Sequence, residues 1–446
     1  MGRGFACHDF VAPPLEWSAG WPRYIRVRPA RAHQSRPAPV GGHRPETRVR
    51  IGRGGWLLFC AHGLSGLGGG PFMAFAAIYQ RQLGANAFEI GVLAAMGMLI
   101  ATLVMLPGTR LAEHHDLRKT IIAGWLIAIP GPLFYALAPH WTWTAIGVVF
   151  MQASVINSPA ISCYLTIGVP RDQIAMVMTT VLSAYSLGLI VSTILSGWLA
   201  LVFPLGALFW MSFAFLSLAS LCIAFLPRKD RVAAHRNGVR YRELLRFPAY
   251  RVMLALFTAV TAIIFIPWAF TPLYAREAAH VDNAWIGLLM SGLYLGSVMI
   301  GLGFGRMRRS RGSVAVVLGF EAAYVLSAVL LLSSMALPVI GIAFFLRGAF
   351  WSFRQVMTAV IGEVLPDYAM AKGYGLFSLV TGASAVLAYP LGGWMYGRQA
   401  AMPFWSSALL MACAMLVTVL VRPYFHANYL KPKVPLPGDE ALPQAA

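Results

Sequence analysis

The sequence is short of charge, above all of negative charge. Its 446 residues hold only 16 Asp and Glu, and charged residues of both signs make up 11%, against roughly 25% in an ordinary globular domain. So few charges cannot cover a water-facing surface, which excludes a soluble globule. Cysteine is scarce as well. Cys7, Cys60, Cys163, Cys222 and Cys413 lie far apart, none in a CxxC pair, so neither a disulfide framework nor a zinc cluster follows. The 43 glycines keep no three-residue period, which excludes collagen. No apolar run follows the charges of residues 1–53. They do not read as a signal peptide; rich in Arg and Pro, they read as a disordered basic tail. No Ser/His/Asp grouping, no HExxH and no pair of carboxylates at one depth is present. The glycine-rich stretch before Pro71 has no Lys-Ser/Thr after it and is no phosphate loop. The reading is a protein that is not an enzyme, with no cofactor and no metal.

Apolar residues, by contrast, make up 58%, and the mean hydropathy is +0.67. A helix needs about 20 mainly apolar residues to cross a bilayer. Twelve stretches qualify, near 55–79, 89–109, 120–138, 142–167, 174–202, 204–226, 251–275, 284–305, 314–335, 337–361, 372–397 and 402–421. They are too long and alternate too little for barrel strands, so an all-α membrane protein of twelve transmembrane helices is expected. Thirty of the 35 Lys and Arg then fall on one side; Arg81, Arg276 and Arg398 fall on the other, and Arg347 and Arg354 lie within a span. Basic loops stay in the cytoplasm, which places both termini there and the chain in the cell (inner) membrane. The net charge of +19 is an orientation signal and an affinity for anionic lipid; nucleic acid is the poorer account.

An internal repeat runs at an offset of 196 residues: Pro71/Pro267, Ile90/Ile286, Gly91/Gly287, Pro170/Pro366, Gly197/Gly393 and Trp198/Trp394 are identical. Two six-helix bundles follow, 54–226 and 251–425, joined by a basic linker 227–250 and flanked by tails 1–53 and 426–446. Six is even, so the bundles share one orientation and a pseudo-symmetry axis along the membrane normal.

Over about residues 55–425 the sequence resembles the major facilitator superfamily of secondary transporters. The most specific element is the loop from Gly108 to Lys119, set against the family pattern G-x-L-A-D-R-x-G-R-R-K. Glu113 holds the acidic position and Arg118 and Lys119 the trailing basic ones, while Asp116 replaces the second glycine. The second half keeps Gly305 and Gly312 around Arg309 in the acidic place. The segments Arg246–Arg251, Glu363–Asp367, Gly373–Phe377 and Pro390–Trp394 also look like the family. Proton-coupled drug exporters carry an arginine in helix 4 three residues before Gln-Gly; here Val149 and Gln152-Ala153 stand there, and Ser192 to Gly197 lacks the helix-5 proline. Both departures weigh against the antiporter subfamilies.

Arg347 and Arg354 are seven apart, on one face of an unbroken helix. At about 1.5 Å per residue they lie about 21 and 10 Å from its cytoplasmic end. Charge near the centre costs at least about 2.5 kcal/mol on insertion scales. Arg347 is therefore expected either to meet an anionic or strongly hydrogen-bonding solute or to bond neighbouring carbonyls. Glu321 is the one carboxylate well inside a span, at a depth similar to Arg354; a charge pair and a proton-coupling carboxylate are the two readings. Helix 4 sets Ser154, Ser158 and Ser162 four apart, near Gln152 and Asn157, either on a cavity or in close helix packing. The six glycines of helix 1 before Pro71 mean a bend or close packing. His62 is a cavity residue or a bonded interior one, and Trp268 stacks on solute or packs. The resemblance implies a cavity between helices 1, 4, 7 and 10, so Arg347, Arg354, Gln152, Asn157, Ser158, His62 and Trp268 are the expected lining. It likewise implies a cytoplasmic gate of Glu113, Asp116, Arg118 and Arg309. The function expected is transport of a small organic solute, anionic if Arg347 faces it, by alternating access. Protons are the candidate coupling ion, lipid the surroundings and a monomer the assembly. The rivals are multidrug or sugar efflux and a non-transporting sensor or scaffold.

Overall fold

The computed structural model describes residues 52–169, 171–229, 241–365 and 367–429. The expected tails, apart from residues 52, 53 and 426–429, and residues 230–240 of the linker lie outside the described residues. Twelve helical spans follow in order. They are α1 (Arg53–Gln82), α2 (Ala87–His114), α3 (Leu117–Ala128 and Pro130–Ala136), α4 (Trp141–Ala153 and Ser158–Thr166), α5 (Arg171–Val202) and α6 (Leu205–Ala224). The second half has α7 (Pro248–Trp268 and Thr271–Glu277), α8 (Asn283–Arg311), α9 (Ser313–Ser333), α10 (Leu337–Arg347 and Ala349–Val364), α11 (Asp367–Arg398) and α12 (Met402–Tyr429). Among the described residues eleven spans are long and apolar enough to cross a membrane. The twelfth, α1, is long enough at 30 residues, but seven glycines dilute its apolar character.

The helix breaks have identifiable causes. In α4, Pro159 offers no N–H to the preceding turn, and Ser154–Asn157 tightens into a 3₁₀ turn ahead of it. In α7, Pro267 and Pro272 flank the interruption at Ala269 and Phe270. α1 keeps its course through Pro71. The carbonyl that Pro71 leaves without its helical donor, that of Leu67, accepts instead from the Ser192 hydroxyl of α5, and Ser192 Oγ takes the Gly70 N–H at 3.1 Å. Added Cβ atoms at Gly66 and Gly70 would run into α5 backbone at Tyr185 and Ser192, so these glycines serve close packing.

The two halves meet along α2 with α11 and α5 with α8. Four glycines permit it. A Cβ on Gly91 would strike Tyr389 and Pro390, and one on Gly393 would strike Ala87 and Phe88. A Cβ on Gly287 would strike Thr193 and Gly197, and one on Gly197 would strike Asn283 and Ala284. Three of the four contacts of the first pair, Gly91 with Tyr389 and Gly393 with Ala87 and Phe88, become contacts of the second on shifting by 196. The repeat legible in the sequence is therefore a repeat of the inter-half contact.

Candidate functional site

At the membrane face opposite the basic loops, the halves are also joined by polar groups. Arg81 Nε at the end of α1 pairs with Glu277 Oε1 at the end of α7, at 3.0 Å. Tyr396 of α11 donates to Glu277 Oε2 at 3.0 Å, and Arg81 also holds the Ala85 carbonyl at 3.2 Å. Arg81 and Glu277 are themselves one repeat apart.

Just inside this cluster lies a cavity of about 210 Å³. Its lining comes from both halves: α1, α2, α3 and α4 on one side, α7, α8 and α11 on the other. Ile90 to Met98 place it about 5 to 17 Å along α2 from the start of that helix. Five aromatic rings line it (Phe72, Tyr135, Trp268, Tyr294 and Tyr389), with three methionines, Met73, Met98 and Met290. Gln80, Gln152 and Thr271 supply polar atoms, and no lining residue is charged. The walls are fixed from behind. Phe72 meets the Tyr135 ring edge-on at 4.9 Å, and Trp268 packs on Phe350 at 5.0 Å. The break in α7 turns Trp268, Ala269, Thr271 and Pro272 to the cavity. The Tyr294 hydroxyl is buried without a hydrogen-bond partner, a condition costing about 1–3 kcal/mol unless something occupies it.

Of the lining residues expected from sequence, Gln152 and Trp268 are on the cavity and five are not. Arg347 is buried, but between α9 and α12. Its guanidinium carbon lies 5.3 Å from the Tyr324 ring and 5.3 Å from the Phe404 ring, and all three nitrogens lack a hydrogen-bond partner. Arg354 is exposed elsewhere on α10. Between the two arginines Gly348, seated on Leu293 and Ser297 of α8, keeps helical dihedrals of −58° and −23°; Arg347 is buried and Arg354 exposed. Asn157 packs against Gly124 of α3 and Ser158 opens the second segment of α4; both belong to the break. His62 bonds the Leu58 carbonyl at 2.8 Å and abuts Trp125. The expected pair of Glu321 with Arg354 is not formed. Glu321 is fully buried and accepts from Thr418 of α12 at 2.8 Å, and its Oε2 has no partner.

Of the expected basic-face gate, three residues have described side chains. Glu113 is exposed and lies 4.0 Å from His114. Asp116 caps α3 through the Arg118 N–H at 2.9 Å and pairs with Arg228 at 3.4 Å. Arg118 donates to the Ala224 carbonyl at the end of α6 at 2.8 Å. Lys229 follows the same pattern, donating to the Tyr164 and Ile167 carbonyls at 2.9 and 3.1 Å, and burial lowers its pKa below the ordinary lysine value. These ties lie within the first half or join it to the start of the linker. The side chain of Arg309 lies outside the described residues.

Sequence reasoning missed Gln80, Tyr135, Tyr294 and Tyr389. A glutamine near the end of an apolar run was a visible signal for Gln80. The tyrosines had none, because a buried tyrosine and a cavity tyrosine look alike in sequence.

The pattern of the Major Facilitator Superfamily matches residues 58–353. No curated protein matches the chain in sequence. Among solved structures, the nucleoside transporter NupG superposes with a TM-score of 0.67 at 13% identity, covering 85% of this chain and 100% of that one. A bacterial homologue of the human lysosomal transporter Spinster gives 0.60 at 13% identity, over 87% and 97% of the two chains. The human organic anion transporter MFSD10 gives 0.58 at 14%, over 84% and 100%. The chain belongs to the Major Facilitator Superfamily and is a membrane transporter by family and fold.

Proposed function

We propose that this transporter carries a small uncharged solute with a flat apolar body and a few hydrogen-bonding groups, by alternating exposure of the cavity between its halves. The observation that carries the reading is the wall itself: five aromatic rings, neutral amides and hydroxyls, and no charge. An anionic solute would lose its hydration there without meeting a cation, so the anionic expectation tied to Arg347 is set aside. The three methionines give the wall some tolerance of shape. Nucleosides, which NupG carries, are uncharged and ring-bearing; the organic anions of MFSD10 are a poorer fit to these walls. The moving bodies in this reading are α1–α6 and α7–α12, with the basic face in the cytoplasm. Glu321 is the carboxylate through which a proton gradient would act.

Uptake into proteoliposomes of neutral aromatic solutes and of an aromatic carboxylate, each with and without a proton gradient, tests this. Saturable uptake of the neutral solutes is expected. Trp268→Ala should lower it about tenfold, a loss within the worth of a buried aromatic contact. Saturable uptake of the carboxylate alone would overturn the reading.

A further inference from the structure

The cavity wall holds two carboxamides, Gln80 and Gln152, and the protein uses them differently. Gln80 of α1 spends both amide protons inside the first half, on the Tyr135 hydroxyl at 3.1 Å and on Thr144 Oγ1 at 3.3 Å. Gln152 of α4 makes no side-chain hydrogen bond among the described residues, and it is half-buried rather than shut away. Its neighbours fix its direction. A Cβ added to Gly97 of α2 would lie 3.1 Å from Val148 Cγ1, 3.3 Å from Gln152 Cγ and 3.5 Å from Gln152 Nε2. Val148 and Gln152 are four apart and share one face of α4, while the exposed Ile146 and Val149 mark another. Gly97, Val148 and Gln152 all line the cavity. The carboxamide therefore reaches over Gly97, where a side chain would crowd it. An amide with an unused N–H and an unused oxygen is donor and acceptor side by side. The second half offers no match for it in Thr271, whose hydroxyl already donates to the Pro267 carbonyl at 3.1 Å.

We infer that Gln152 sets the specificity of this transporter by pairing with one edge of the solute, Nε2 donating to a carbonyl and Oε1 accepting from the N–H beside it. The solute class is the aromatic lactam or amide that carries N–H and C=O on one side of a flat body. The inference rests on the neutral-solute reading and narrows it. It also orients the solute. The polar edge faces α2 and α4 of the first half, and the flat body is left to the Trp268 and Tyr389 rings of the second. A site that hydrogen-bonds its solute rejects an analogue lacking the bonding group more strongly than apolar walls reject a change of shape. Blocking the solute's N–H is therefore the change this site should notice most.

Two neutral probes test the pairing. Quinolin-2-one carries such an edge, and N-methylquinolin-2-one keeps the rings and the carbonyl but has no N–H. Their dissociation constants on the purified full chain can be read from titrated shifts in melting temperature. The wild type is expected to bind quinolin-2-one about tenfold tighter than its N-methyl relative. Gln152→Met keeps the length of the side chain and removes both bonding groups, so it should bring the two constants within about twofold of each other. It strands no partner in the protein, and its melting temperature without solute should match the wild type. Gln152→Ala, smaller still, gives the same comparison if methionine is not accommodated. Equal constants in the wild type, or a preference that survives in the Gln152 variants, would overturn the inference and leave the neutral-solute reading standing, since both probes are neutral and flat. Binding of neither probe would also overturn it, and the uptake of neutral aromatic solutes would then decide the broader reading by itself.

Discussion

Arg347 shows how far a single residue can be read. Its sequence position marks a costly charge at mid-membrane, and the structure confirms the burial, at 2% exposure. What it touches is a pair of aromatic faces on Tyr324 and Phe404, away from the cavity lining. Cation–π contact offsets part of the desolvation, about 2 kcal/mol or more when dry, but the guanidinium nitrogens still lack acceptors. Replacing buried charge by an apolar side chain of similar volume is often neutral or stabilising by 1–4 kcal/mol. Arg347→Met is therefore expected to hold or raise the melting temperature and to leave solute affinity unchanged within about twofold, a spread of under 0.5 kcal/mol. Thermal unfolding with and without a neutral aromatic solute that the transporter takes up checks both halves of the statement. A marked loss of affinity with stability intact would return Arg347 to the solute.

At the scale of the element, the two pseudo-equivalent helices α1 and α7 carry matched prolines, Pro71 and Pro267, with opposite outcomes. α7 breaks one turn on, and its break shapes the cavity. α1 does not break, because Ser192 of α5 satisfies the Leu67 carbonyl and glycines let α5 approach closely enough to do so. Ser192→Ala should strand that buried carbonyl and cost about 1–3 kcal/mol. Pro71→Ala in the same chain should recover part of the loss, since alanine brings back the helical N–H. Melting temperatures of the two single variants and the double one measure the coupling. Strict additivity would mean that the hydroxyl does not stand in for the missing donor.

At the scale of the whole molecule, the face opposite the basic loops is held by apolar contact and by one small polar cluster. Arg81 and Glu277 are 45% and 32% exposed, and an ion pair so wet contributes only about 0–1 kcal/mol. That is enough to bias two states, by up to about fivefold, without holding the fold together. Glu277→Gln removes the charge from both Arg81 and Tyr396. A cysteine placed at Ala77, on the cavity wall, should then react faster with a membrane-impermeant thiol reagent added at that face, while the melting temperature stays nearly unchanged. An unaltered labelling rate would mean that the glycine-lined contacts of α2 with α11 and α5 with α8 carry the closure alone.

The sequence by itself determined the lipid-embedded character, the helical spans, the repeat and the family resemblance. Those rest on properties that add along the chain: apolar length, charge by loop, identity at a fixed offset. The offset even marked Gly91, Gly197, Gly287 and Gly393, because close backbone approach leaves only glycine as a solution and two-fold repetition enforces it twice. The membership of the cavity was decided by tertiary structure alone. Which way a side chain points depends on where its helix breaks and how it is rotated against its neighbours. Arg347 is buried between α9 and α12 while Arg354 is exposed, and the 3₁₀ turn before Pro159 sets Asn157 against Gly124. The α7 break hands Trp268 to the cavity. Polar residues in a span announce that their charge or hydrogen bonds must be met somewhere; only the packing of the helices decides whether protein or solute meets them.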